Sequence, residues 1–523
     1  MDDHDQHDTD AAASRTEQFP AGERTSVWLD TSPTTEYAPL DGGIDVDAAV
    51  VGGGIVGVTA ALQIAEAGQD VALVERDRIL AGVTGKTTAK LTSQHGILYD
   101  TLSSTVGERK TRQYAEANEA AIDHVESRVE ALDIDCAFRR LPSYAYVRSS
   151  ERRSEVRREV NTARRVGLPA DFEESVPVDD EAVAAVRFDD QAMFHPRRYL
   201  LALAETFLDA GGRIYEGTRA LDVDGGARPV VDTDRGEILA DDIVLATHFP
   251  VHDTGAYFAR MHPKRSYVVA ARVADPPAEA MYYYTGDQYF SVRTHDTGDE
   301  VLTLVGGQNH KTGQGGDTNE RYRKVEEAAR RHFDVESVEY RWSTQDYVSV
   351  DRVPYVGAVP FSENVYMASG FGGWGMTNGT AAGLLLADLV RGEENPYTEV
   401  YDPNRVTVDR TSISEFASQN ANVAKEFVGD WLSMRQREDL RRLNRGEATV
   451  LRERTKPVAA YRDDDGELHT HSAVCPHLDC IVRWNDAERS WDCPCHGSRF
   501  GYDGHVVNGP AVSDLPTRNL DVE

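Results

Sequence analysis

The sequence predicts an α/β domain with a second, mixed-sheet lobe, followed by a small all-β module near the C-terminal end. Three observations point there. A strand–glycine–helix–strand pattern runs from Ala48 to Glu75. Farther along, Ala240–Thr247 reads as a later strand of the same sheet, and Phe371–Val390 as a glycine-rich loop entering a helix. Two short boxes, Cys475-Pro476-His477 and Cys493-Pro494-Cys495-His496, then lie 15 residues apart.

Ala48-Ala-Val-Val51 reads as a short buried strand, and Gly52-Gly-Gly54-Ile55-Val56-Gly57 follows at once. Val58 to Ala67 has the small and apolar spacing of a helix packed on a sheet, and Val71–Val74 forms a second strand ending in Glu75. A lone glycine motif says little, but strand, glycines, helix, strand and acid in this order form a dinucleotide-binding arrangement. Gly52 permits the tight turn, Gly54 admits a pyrophosphate to the helix N-terminus at Ile55 and Val56, and Gly57 allows close helix–strand contact. Glu75 is placed to accept a ribose hydroxyl.

FAD and NAD share this arrangement, so other segments must choose. Gly82-Val-Thr84-Gly85-Lys-Thr87-Thr88-Ala89 offers hydroxyls and backbone N–H groups to a diphosphate. Gly372-Gly373-Trp374-Gly375-Met376 places a glycine-rich loop at a helix N-terminus. Such an end favours negative charge, as on the N1–O2 edge of a reduced flavin.

Cys475, His477, Cys493 and His496 supply two thiolates and two imidazoles. That set suits a [2Fe–2S] cluster in which histidines replace cysteines on one iron, and it also suits tetrahedral zinc. Zinc fingers usually carry a cysteine pair and then a histidine pair, whereas each box here supplies one of each. With their flanks, Cys475-Pro-His-Leu-Asp-Cys480 and Trp491-Asp-Cys-Pro-Cys-His-Gly-Ser498, the boxes resemble the Rieske ferredoxin family. The resemblance implies a cluster on those four residues and a disulfide between Cys480 and Cys495. In a reducing compartment that bond persists if its potential lies below that of the thiol pool; two free buried thiols are the alternative. High-potential members carry a Ser and a Tyr after the second box. Here Ser498 is kept but Phe500 replaces the Tyr, so the expected potential lies inside, but not at the top of, a span of about −150 to +300 mV.

Residues 45 to about 395 resemble the D-amino-acid-oxidase-like FAD-dependent oxidoreductases, whose relatives include glycine oxidase and sarcosine oxidase. The likeness implies FAD held extended, with Glu75 on the adenosine ribose and Val223 on the adenine through its backbone. The whole chain is similar to bacterial and archaeal proteins that fuse such an oxidoreductase to a Rieske module. Thr87-Thr-Ala-Lys-Leu-Thr-Ser-Gln-His-Gly96 is typical of them, and the likeness covers nearly everything after residue 25.

One departure bears on substrate. Amino-acid oxidases of this kind carry an Arg-Pro ahead of an Asp-Gly-x-Pro turn, and that Arg holds the substrate carboxylate. Here the turn reads Asp351-Arg-Val-Pro354 and Asp346 takes the Arg position. An acid there repels a carboxylate and favours an amine. Arg352 reads as a surface turn residue. Tyr267, Arg293 and His310, on strand-like segments of the substrate lobe, are catalytic candidates for facing the flavin; the alternative is that each satisfies a buried or surface polar position. Cys136 is remote in sequence, so FAD is expected to be bound without a thioether link.

At 523 residues the chain has room for roughly three to four domain-sized units. It divides into an acidic tail and lead-in (1–44), a two-lobed FAD region (45–405), a helical connector (406–445) with Phe416, Val423, Phe427 and Trp431 at helical spacing, and the Rieske module (446–523). His4 and His7 fall in the tail and read as solvated. The formal charge is −32, with eight Lys against 48 Arg. Acid excess with few Lys fits a halophilic, cytoplasmic protein whose surface repulsion is screened by salt. Clustered cations for nucleic acid are absent, and no apolar run reaches the length of a membrane span or opens the chain as a signal peptide.

Together these readings give an oxidoreductase with FAD and [2Fe–2S] cofactors that oxidises a small-molecule amine bound near Gly372 to Met376. Electrons then pass singly between flavin and cluster and on to an external acceptor. Reverse flow from an external donor, an oxidase with a merely structural Rieske module, and a non-catalytic carrier or redox sensor stay open. A mononuclear-iron oxygenase is disfavoured, because no separate set of two histidines and a carboxylate can be placed. Substrate, direction and oligomeric state are not legible.

Overall fold

Ile44–Val51 lies at the centre of a parallel sheet because its second half is apolar on both faces and buried throughout. In the computed structural model, which describes residues 21–286, 289–362, 364–405, 410–433 and 440–519, it pairs with Val71–Val74 on one side and Gly236–Leu245 on the other. Arg213–Tyr215 and Val365–Ser369 extend the sheet in parallel, and Tyr355–Ala358 closes one edge antiparallel. Two helices, Ile55–Glu66 and Gly375–Val390, cover one face. They approach closely because of two glycines: a Cβ on Gly379 would stand 2.8 Å from Ile55 Cγ2, and one on Gly383 2.8 Å from Thr59 Cβ. These contacts run in the same chain direction, so both positive helix ends open at the same end of the sheet.

The second lobe is a mixed sheet. Its long strands Met261–Val273, Val301–Lys311 and Val335–Ser349 pair antiparallel, while Met281–Tyr284 runs parallel to Arg139–Val147. The C-terminal module is all-β, with one sheet of Ala448–Glu453, Lys456–Arg462 and Leu468–Ser472 and another of four short strands from Arg483 to Asn508. The predicted fold class is therefore the observed one. No helix among the described residues is long and apolar enough to cross a membrane.

Two flanking segments pack against the body. The lead-in is built into the body from residue 21: Glu23 bridges to the strand at Tyr340, and Trp28 is fully buried with Nε1 donating to Thr87 O at 2.7 Å. One apolar pair, Val27-Trp28, among polar neighbours gives no periodic signal. His4 and His7 lie outside the described residues. The connector forms a helix, Arg410–Ser433, that touches both halves: Asn420 donates to Ala259 O at 3.0 Å, and Asp430 receives Arg483 at 2.6 Å. Val423 and Trp431 pack on the core of the small module, whereas Ile413 and Val428 are exposed. Leu440 packs on Leu451, Val458 and Ala460 of the small module.

Trp28 rests against two buried histidines, His195 at 5.0 Å and His295 at 4.6 Å between ring centroids. Burial, with Arg198 and Arg293 nearby, pushes His195 down to about 3 and His295 down to about 2. Both rings titrate lower in the folded chain than in the unfolded one. Below about pH 6.5 the unfolded chain thus binds more protons, and stability is lost progressively as pH falls towards the folded values. Thermal melts should show the midpoint dropping from about pH 7 to pH 5, and His295→Asn should flatten that slope. An unchanged slope in the variant would remove His295 from the explanation.

Candidate active site and cluster centre

A cleft of about 530 Å³ opens where the two helix N-termini converge, and its walls come from both lobes and from the small module. Gly52 adopts φ +108°, and a Cβ there would stand 2.5 Å from Ala246 O. Gly54 caps helix Ile55–Glu66, and the nearest atom its Cβ would meet is Thr84 Oγ1 at 3.3 Å. Thr84 Oγ1 accepts from Ile55 N at 3.1 Å, joining the Gly82–Ala89 loop to the same helix end. Glu75 accepts from Gly53 N at 2.8 Å and Asp77 N at 3.0 Å. Burial pushes its carboxyl up, against the pull of these two bonds.

Most of the predicted cofactor residues meet in this cleft. Gly52, Gly54, Ile55, Val56, Glu75, Thr84, Thr87, Thr88 and Gly372 to Met376 line it. Gly57 and Gly85 stand behind the wall: a Cβ on Gly57 would overlap Gly52 O, and one on Gly85 would overlap Leu80 O. Val223 does not line the cleft but is buried in a core beneath it, while Thr218, Arg219 and Ala220 form the border there.

The three catalytic candidates do not line the cleft. On strand Met261–Val273, Lys264, Ser266 and Val268 face the cleft, so alternation turns Tyr267 to the opposite face, against Tyr322 at 4.8 Å. Tyr267 and His310 are hydrogen-bonded at 3.0 Å on that far side. Arg293 is buried under Trp28 and donates to Ala89 O at 2.6 Å and Thr294 O at 2.9 Å. Its guanidinium props the loop behind Thr88. Arg352 is exposed in the turn, as expected.

Asp346 does line the cleft, but it is nearly buried and both of its oxygens are engaged. Oδ1 accepts from Tyr347 N at 2.7 Å and meets His248 Nε2 at 3.2 Å, while Oδ2 accepts from Gly373 N. Lys264 Nζ donates to Gly372 O at 2.9 Å. An acid and a lysine therefore fix the glycine-rich loop. Trp374 in that loop stacks on His95 at 4.9 Å and meets Tyr283 edge-on at 5.1 Å. Sequence reading gave no role to His95, His248, Lys264 or Tyr347. For Lys264 the alternation of a long strand was the available signal, and for Tyr347 its place beside Asp346.

Across the interface, the two boxes come together. Cys475 and Cys493 are buried and interact electrostatically with each other, and Cys493, helped by Ser498, holds the Cys475 thiol below its ordinary range. The His477 and His496 rings stand 5.0 Å apart and nearly perpendicular. Burial pushes them down to about 4 and about 3, which keeps both imidazoles neutral and able to ligate. Nδ1 of His496 is buried with no hydrogen-bond partner among the described residues. Cys480 and Cys495 form the disulfide, and its sulfurs lie within 4.8 Å of Cys493 Sγ. Phe500 is fully buried in the module core. Two adjacent thiols and two desolvated neutral imidazoles fit a mixed Cys/His cluster.

The module is anchored through a buried hairpin tip. Arg265 is fully buried, bonds Ser343, and lies 3.7 Å from Glu488 of the tip, which also accepts from Tyr322 OH at 2.8 Å. Burial pushes the Glu488 carboxyl up, but Arg265 and Arg499 outweigh it and leave a net lowering. Glu488→Gln leaves Arg265 buried without its counter-ion, a loss of about 3–5 kcal/mol. Chemical denaturation should register that loss, and limited proteolysis should cut the connector faster. Stability within about 0.5 kcal/mol of wild type would show that the pair does not anchor the module.

Residues 47–389 match the FAD dependent oxidoreductase family and residues 430–519 the Rieske [2Fe-2S] domain. The chain thus belongs to the FAD-dependent oxidoreductases and carries a C-terminal Rieske domain; its cofactors are FAD and a [2Fe–2S] cluster. Over 501 residues it is 37% identical to YhfW of Bacillus subtilis (strain 168), assigned to the Rieske 2Fe-2S iron-sulfur proteins, covering 95% of this chain and 98% of that one. It is 25% identical to the gamma-glutamylputrescine oxidoreductase of Escherichia coli (strain K12), over 71% of this chain and 90% of the relative. Among solved structures, glycine oxidase from Geobacillus kaustophilus superimposes with a TM-score of 0.59 at 20% identity, covering 69% of this chain and 99% of that one.

Proposed function

We propose that the protein oxidises an amine-type small molecule in the cleft and relays electrons between FAD and the Rieske cluster to an external acceptor. One observation carries the relay: Arg499 and Val506 to Val512 of the cluster module form part of the wall of the same cleft that holds the dinucleotide-binding residues. When bound, FAD accepts a hydride and the cluster transfers single electrons. Gly52, Gly54 and Thr84 hold the diphosphate at the helix end, Glu75 holds the ribose, and Ala220 borders the adenine. The N-terminus of helix Gly375–Val390 favours negative charge at the reacting end of the cleft. Asp346 and Lys264 keep the loop from Gly372 to Met376 in place, and Trp374 forms the apolar wall beside it. Cys475, His477, Cys493 and His496 ligate the cluster, with Ser498 raising its potential.

The amine reading is supported by the likeness to an oxidoreductase of an amine substrate and by the absence of an arginine at position 346 to recruit a carboxylate; Asp346 itself is engaged by Tyr347, His248 and Gly373. Acid excess with few lysines supports a cytoplasmic protein adapted to high salt. Anaerobic titration with a panel of amines and hydroxy acids, following flavin absorbance and cluster EPR together, tests the whole reading. The expected result is bleaching by an amine and then a reduced-cluster signal. Bleaching that leaves the cluster oxidised would end the relay, and a hydroxy acid as the active donor would end the amine assignment.

A further inference from the structure

We infer that Tyr347 is the positioning residue that joins the flavin loop to the cluster loop and sets the rate at which electrons cross between them. The inference rests on the relay proposed above and deepens it.

Tyr347 is hydrogen-bonded to both loops at once. Its backbone carbonyl accepts from Gly372 N at 2.8 Å, in the loop at the reacting end of the cleft. Its phenol donates to Gly509 O at 2.7 Å and lies 3.4 Å from the carbonyl oxygen of His496, a proposed cluster ligand. One residue thus links the two sites, its backbone bonded to the flavin loop and its phenol to Gly509 O with the His496 carbonyl beside it.

Its surroundings fix that geometry. The residue is 1% exposed, and its ring packs against His248 and Phe249, both at 5.0 Å. Asp346 on one side pins Gly373. On the other side Gln345 Nε2 donates to Gly497 O at 2.8 Å and lies 3.2 Å from the phenol oxygen. Three consecutive residues of one strand therefore hold Gly373, Gly372 and the turn after His496. The fit on the cluster side leaves no slack, since a Cβ on Gly497 would stand 2.5 Å from Pro263 Cβ.

A packing role alone predicts something different from a bridging role. The ring fills the interface, and Tyr347→Phe keeps the ring while deleting the phenol oxygen. Packing predicts a small change in melting temperature and none in transfer rate. Bridging predicts slower crossing with both cofactors retained, because the hydrogen-bonded contact with the cluster loop is replaced by van der Waals contact. Electron transfer between fixed centres weakens when a bonded step becomes a through-space one.

The test uses the full-length holoprotein. The flavin is reduced under anaerobic conditions by a photochemical flash donor, and arrival of the electron at the cluster is followed by absorbance and EPR. Tyr347→Phe is expected to slow that arrival by about tenfold, with FAD and iron contents equal to wild type. A wild-type rate in a fully loaded variant overturns the inference. Should the variant lose a cofactor, Gln345→Met serves instead, since it releases the Gly497 carbonyl and the neighbour of the phenol. It is expected to slow arrival by a smaller factor, and an unchanged rate there also overturns the inference. If the wild-type protein itself passes no electron to the cluster, the relay reading falls first, so the two failures are distinguishable.

Discussion

Cys493→Ser is expected to abolish the [2Fe–2S] centre, leaving iron and sulfide at background while FAD content stays near that of wild type. The proposed ligand set is complete only with both thiolates, and a serine alkoxide is a poor substitute for a soft sulfur donor. The thiol is buried, and the neighbouring sulfurs of Cys480 and Cys495 are tied up in the disulfide, so they do not replace it. Outer-shell changes at metal sites typically cost ten- to a hundredfold in affinity or activity, and loss of a ligand should exceed about a hundredfold. Electron delivery to the external acceptor should fall by at least that factor, whereas flavin bleaching by substrate should be retained. Metal analysis, EPR and anaerobic flavin absorbance separate these outcomes. A cluster that survives with normal EPR would remove Cys493 from the ligand set.

Gly57→Ala is expected to leave the chain nearly devoid of FAD. The added methyl would overlap the Gly52 carbonyl oxygen, a backbone atom that cannot rotate away. The helix must then lift from the strand, which moves its amides away from the phosphate position. Overpacking of this kind costs about 1–3 kcal/mol in stability, little enough for the domain to fold. The ratio of flavin to protein absorbance should fall to less than about a tenth of wild type, since the helix end contributes through fixed N–H geometry. Gly52→Ala is a second route to the same end, because that residue combines φ +108° with a close Ala246 carbonyl. Full FAD occupancy in both variants would refute the assignment of this turn to the diphosphate.

The parts of the site that depend on local chain order were legible. Glycine spacing, strand–helix alternation and the acid at position 75 are consecutive in sequence, and so are the two cysteine–histidine boxes. Residues that depend on strand parity or on packing between modules were not. Tyr267 and Lys264 sit three positions apart on one strand and face opposite sides. Only the location of the cleft decides which of them is available. Arg293 is a polar residue satisfied by carbonyls of a loop some two hundred positions earlier, a pairing that no local pattern encodes. Val223 is buried in the core next to Ala220, which lines the cleft, and strand parity decides which of the two faces it. The helical connector was visible in its apolar spacing, but the lead-in was not, since a single buried tryptophan has no periodicity.

The segment Val506–Val512 gives the cluster module a second consequence, in the retention of the nucleotide. Arg76 donates to the Val507 carbonyl and Arg219 pairs with Asp514 at 2.9 Å, tying the segment to the oxidoreductase body at the cleft border. These two ties hold part of the cleft wall in place, so a holoprotein lacking both Arg76 and Arg219 side chains is expected to release FAD faster, a rate that flavin fluorescence would follow.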